Sequence, residues 1–178
     1  MIVSAPAVVR RSGTAAVEMA IVFSTVILPI LVGVMEVGRL VQVQQIVANA
    51  AREGARLAAQ AQTLSSDGTI TQFKANTGNP SVQSAAYQYL IGAGLTKLTS
   101  SDVTVTFAYT APRSDGLTAT EPYEGEKLQP FDVTVTVQYE KLKWINLGFI
   151  GTTSLSYTAH WQILVDDPFS VNVTMPSW

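Results

Sequence analysis

Cysteine is absent from this chain, which excludes a disulfide framework and a thiolate metal site and suits either side of a membrane. Histidine occurs once, at His160, so no site built on several imidazoles can be assembled around it. Charge is sparse, at 13% of residues. Beyond residue 60 six Lys and Arg stand against ten Asp and Glu, with no basic stripe, which argues against nucleic acid as a partner. Neither a Ser-His-Asp arrangement, nor a phosphate-binding glycine loop, nor a paired-histidine zinc motif is present, so no enzymatic activity and no cofactor is implied. The acidic stretch holding Asp115, Glu121, Glu124 and Glu126 lacks the ligand spacing of a calcium loop and reads as solvated.

What the chain does have is an apolar run. Met19 to Met35 contains no ionisable side chain, and Ala15 to Val17 extend it to the ~20 residues that span a bilayer. Arg10 and Arg11 precede it, which by the positive-inside rule places them in the cytoplasm and the chain after Arg39 outside. A secretory signal peptide is the simpler alternative, but no small-residue cleavage site follows the run. It passes instead into Met35-Glu36-Val37-Gly38-Arg39 and continues as a helix. Glu18, five residues after Gly13, is a carboxylate at the edge of the hydrocarbon. It either snorkels to the headgroups or has a partner that compensates its lost solvation. A chain cut after Gly13, whose new amino terminus pairs with a neighbour's carboxylate, would need this spacing.

The helical pattern outlasts the apolar run. Leu40, Val43, Val47, Ala50, Ala51, Gly54, Leu57, Ala58 and Ala61 fall on one face, and Gln42, Gln45, Asn49, Arg52, Glu53, Arg56 and Gln60 on the other. One helix is therefore expected from about Thr14 to about Gln62, roughly 70 Å long at its rise per residue. Pro29 should kink or loosen its membrane half. Ser65-Ser66-Asp67-Gly68 breaks the pattern and opens a polar connection to Gly78, and Asn79-Pro80-Ser81 reads as the cap of a short second helix that keeps Val82, Ala85, Ala86, Tyr89, Leu90 and Ala93 on one face up to Gly94.

Three alternating strands follow, through Val103 to Tyr109, Phe131 to Tyr139 and Leu155 to Ile163. The fold class is α+β: a long membrane-spanning and then amphipathic helix packed on a small antiparallel sheet, with one extra short helix. The expected buried face is Val103, Val105, Phe107, Val133, Val135, Val137, Leu155, Tyr157 and Trp161 against Val47, Ala51, Gly54, Leu57 and Ala58, with Thr104, Thr106, Thr134 and Thr136 wet. Glu36 and Arg39 read as a helix pair anchoring the outer interface. Arg52, Glu53 and Arg56 are either a solvated face or a subunit contact, and Gly54 either admits a close neighbour or is simply tolerated. The apolar connection holding Trp144, Leu147, Phe149 and Ile150 is expected to be partly exposed and to meet another subunit.

Three blocks on the long helix resemble one family: Arg11-Ser12-Gly13-Thr14-Ala15-Ala16-Val17-Glu18-Met19-Ala20, then Met35-Glu36-Val37-Gly38-Arg39, then Asn49-Ala50-Ala51-Arg52-Glu53-Gly54-Ala55-Arg56. Together they resemble the TadE-like proteins, minor pilins or pseudopilins of the tight-adherence (Flp-type) pilus and secretion apparatus. The resemblance implies cleavage between Gly13 and Thr14 by a prepilin peptidase and pairing of Glu18 with the amino terminus of an adjacent subunit. It also implies other pilin subunits, an inner-membrane assembly platform and membrane lipid as partners. Met19 departs from a frequent phenylalanine, and the head is larger than in short major pilins, which favours a minor, tip or priming role. The expected organisation is a leader over 1–13, a transmembrane helix over 14–38 and an extracytoplasmic head over 39–178. The rival is a binding or adhesion module held permanently by an uncleaved signal anchor, in which Gly13 and Glu18 are incidental.

Overall fold

The computed structural model describes residues 12–64, 69–142 and 153–164. The chain divides into two units, the first ending at Arg39 and the second beginning at Leu40.

In the first unit, helix α1 (Ser12–Val22) runs into a π-helical turn, Phe23–Ile27, and then into helix α2 (Leu28–Gln60), whose later residues belong to the second unit. The turn ends just before Pro29, where the sequence predicts a kink. Pro29 has no N–H for the carbonyl one turn back, and the chain widens there: Leu28 N–H reaches back to the Phe23 carbonyl, five residues away. Ser24 Oγ donates to the carbonyls of Ala20 (2.9 Å) and Ile21 (3.1 Å), and Thr25 Oγ1 to that of Ile21 (2.6 Å). The hydroxyls in this apolar stretch are thereby satisfied without water.

The second unit is an α+β domain. Strands β3 (Val103–Tyr109), β4 (Pro130–Gln138) and β5 (Ser154–Gln162) form an antiparallel sheet in that order, in the register Val105 to Val135 to Tyr157. Val133, Val135 and Val137 on the central strand are completely buried, as are Val43, Val47, Ala51 and Ala58 of α2. Thr104 and Thr106 are exposed, and Thr134 and Thr136 are half-buried, so the predicted faces are the observed ones. Four positions differ by degree. Phe107 and Tyr157 are half-buried because they lie on the outer strands, with a neighbouring strand on one side only. Trp161, expected in the core, is 40% exposed, although Ile163, two residues on, is completely buried. Leu57 is half-buried, and Ala55 is the fully buried residue beside it.

Two local details depart from the sequence reading. Helix α3 (Val82–Gly92) is capped by Ser81, not Asn79: Ser81 Oγ accepts from Ser84 N (3.1 Å), and Ser84 Oγ accepts from Ser81 N (2.8 Å). It closes with Leu95 N–H on the Leu90 carbonyl and Gly94 N–H on that of Ile91. Gly94 at φ +95 permits that turn, and Leu95 is buried under it. Helix α2 stops at Gln60 without waiting for the polar connection. Ala61 turns left-handed (φ 55), and its carbonyl accepts Phe73 N–H while that of Ala59 accepts Leu164 N–H. Between them a short hairpin forms, β1 (Gln62–Leu64) with β2 (Ile70–Gln72), where the sequence suggests only a connection.

Candidate functional site

The candidate site is the surface of the N-terminal helix. Residues 13–31 are exposed throughout, including Val17, Met19, Ile21, Phe23, Val26, Ile30 and Leu31, so a predominantly apolar surface has no cover among the described residues. The helix Gly13–Gln60 is long and apolar enough to cross a membrane. Glu18 is exposed on this surface, and among the described residues no partner stands beside it. Gly13 is exposed as well, and a Cβ added there, or at Gly33 or Gly38, would meet nothing within 4 Å. Packing within the chain therefore does not demand a glycine at 13. Glu36 is only 4% exposed.

On the head, Arg52 is engaged internally. Its guanidinium donates to Asn49 Oδ1 (2.9 Å) and to the Tyr157 hydroxyl (3.1 Å), and lies 5.3 Å from the centre of the Tyr157 ring. Gln44 Nε2 donates to the Ser156 carbonyl (3.0 Å), so two side chains of α2 strap the outer strand β5. Glu53 and Arg56 form a two-pronged exposed pair at 2.6 and 3.0 Å, and the guanidinium holds the Glu53 carboxyl below its usual range. Trp144, Leu147, Phe149 and Ile150 lie outside the described residues.

The carboxylates of the acidic connection accept from backbone N–H groups and a few side-chain donors. Glu121 accepts from Ala75 N–H, Glu124 from the N–H groups of Thr120 and Glu121, Glu126 from Ser114 N–H and hydroxyl, and Asp115 from Arg113 and Leu117. Those donors hold the carboxyls of Asp115, Glu124 and Glu126 below their usual range. Among the described residues no group of three or more His, Cys, Asp or Glu could hold a metal ion. His160 points to the Thr face, as its strand position requires, and contacts Asp132 directly across the sheet at 2.5 Å. A cleft of about 420 Å³ near it is lined by Pro130, Trp161, Gln162 and Leu164, which supply no nucleophile.

Residues 13–56 match the family model described as TadE-like protein. The match begins at Gly13 and takes in all the apolar surface and most of the amphipathic half of α2, leaving the sheet and α3 outside it. No curated protein and no solved structure matches the chain. Over residues 13–56, then, the N-terminal helix is similar to the TadE-like proteins.

Proposed function

We propose that the chain is a minor pilin or pseudopilin, a structural subunit with no catalytic role, whose N-terminal helix lies first in the membrane and then among the helices of a filament. The observation that carries this reading is the uncovered apolar surface of residues 13–31 with Glu18 on it. A bilayer covers such a surface before assembly, and neighbouring helices cover it afterwards. A prepilin peptidase on the cytoplasmic face cuts between Gly13 and Thr14. The missing side chain at Gly13 lets the backbone enter a tight site, a demand made by another molecule rather than by packing within this one. Glu18 then pairs with the freed amine of an adjacent subunit, which is what makes a carboxylate tolerable between helices. The head lies outside the cytoplasmic membrane, and the assembly platform extracts the subunit. The exposed Glu53 and Arg56 pair belongs to the proposed contact surface, whereas Arg52 already serves the head.

Mass spectrometry of the protein purified from membranes tests the reading. A chain that begins at Thr14 is expected. One that retains the residues before Gly13 favours the permanently anchored module.

A further inference from the structure

The π-helical turn decides which side of the helix carries Glu18. Within the first unit the residues after the turn divide by side: Val32, Gly33 and Arg39 are half-buried and Glu36 is buried, whereas Val34, Met35, Val37 and Gly38 are exposed. At about 100° per residue the covered positions span roughly a third of the circumference, centred on Glu36. The remaining side is open to another molecule.

Glu18 precedes Glu36 by about five whole turns of a regular α-helix. An unbroken helix would therefore align Glu18 with Glu36, on the covered side. The turn Phe23–Ile27, closed by Leu28 N–H on the Phe23 carbonyl, takes in one residue more than the α-helical turn it replaces. That residue displaces Glu18 by about 100° and brings it into line with Ile30 and Val37, both exposed. Residues at both ends hold the turn. Pro29 has no N–H for the Thr25 carbonyl and its ring crowds that carbonyl, while the Ser24 and Thr25 hydroxyls bond the carbonyls of Ala20 and Ile21.

We propose that this π-turn, with Pro29 as its positioning residue, sets the azimuth of Glu18, so that the carboxylate faces the helix of an adjacent subunit lying along Ile30 and Val37. This rests on the subunit reading above and adds the side on which the neighbouring amine is met. A neighbouring helix that follows the open side meets Glu18 only because of the extra residue.

A regular-helix variant of the full chain carries Ser24→Ala, Thr25→Ala and Pro29→Ala. NMR of the purified chain in detergent micelles should show Leu28 N–H moving from the Phe23 carbonyl to that of Ser24. Once the helix is regular, the place that Glu18 held passes to Met19, one residue on. The variant should enter sheared filaments roughly ten-fold or more below the unmodified chain, because carboxylate and amine no longer meet. Exchanging the two residues in that variant, Glu18→Met with Met19→Glu, should restore incorporation, and the same exchange in the otherwise unmodified chain should abolish it. A π-turn that survives the three substitutions, a regular-helix variant that assembles at the normal level, or an exchange that fails to rescue it overturns the proposal. Mass spectrometry of the same samples reads the amino terminus, which should be Thr14 in every variant. An unmodified chain that is processed and incorporated while the exchange fails keeps the pilin reading and removes only the azimuth, whereas an unmodified chain absent from filaments removes both.

Discussion

A Cβ placed on Gly54 would lie 3.1 Å from Val82 Cγ1 and 3.6 Å from Val133 Cγ1, so the middle of the amphipathic helix meets the start of α3 and the central strand at one point. The absence of a side chain sets that spacing, and the close-approach reading of Gly54 is the one that holds.

Gly54→Ala gains helix propensity of roughly 0.5–1 kcal/mol and loses part of it in moving Val82 by a few tenths of an ångström, giving a net change expected within about 1 kcal/mol. Gly54→Leu has no such room and should destabilise the head by ~2–3 kcal/mol. In a Val82→Ala background Gly54→Ala becomes stabilising. Thermal unfolding of the full chain in detergent, followed by circular dichroism, reads all three, and a tolerated leucine would refute the close approach.

Asp102 accepts from Lys141 at 2.5 Å and from the Thr99 hydroxyl and N–H, and these donors, Lys141 first, lower its pKa to about 2. A depressed carboxyl stabilises the fold above its unfolded pKa of about 3.9, and that contribution disappears as pH falls toward 2. The melting temperature should therefore decline between about pH 4 and pH 2. Asp102→Asn should flatten part of that decline, while Asp115, Glu124 and Glu126, shifted in the same direction, keep the rest. An unchanged pH profile in Asp102→Asn would contradict this account.

Gly125 sits against Tyr109, whose hydroxyl donates to the carbonyls of Glu121 (3.0 Å) and Pro122 (3.1 Å) and whose burial pushes its own pKa well up. A Cβ at 125 would collide with the Tyr109 hydroxyl and approach Ile163 Cγ1 to 2.9 Å. Gly125→Ala should cost ~1–3 kcal/mol and expose the connection to protease, whereas Tyr109→Phe should cost only ~0.5–1.5 kcal/mol. The reverse ranking would mean that the connection is held elsewhere.

Processing and assembly should separate genetically. Gly13→Leu is expected to keep the leader and block incorporation into filaments. Glu18→Gln should be cleaved normally yet fail to assemble, because an amine left between helices without its carboxylate loses roughly 3–5 kcal/mol. Immunoblots of membrane and sheared-filament fractions read both steps. Cleavage of Gly13→Leu at the same bond, or normal incorporation of Glu18→Gln, would remove the mechanism.

The sequence by itself determined the elements whose period is long enough to read: the apolar helix, its amphipathic stripe through Val43, Val47 and Ala58, the three strands, and the burial of their valine face. Repeated burial on one side writes those patterns into the residues. Only the tertiary structure decided the features that depend on a distant partner. Leu164 N–H takes the Ala59 carbonyl and Phe73 N–H that of Ala61, just past the helix, and α2 ends at Gln60. The local Ser81 and Ser84 exchange places the α3 cap, Arg52 is claimed by Tyr157, and the carboxylates of the acidic connection are claimed by backbone N–H groups. The three-residue strands β1 and β2 are too short to carry a period. The distant contacts lie outside any window of local sequence, and the local ones, at Ser81 and Glu124, are made by polar side chains that leave no hydrophobic period, so the pattern that foretold the core could not foretell them.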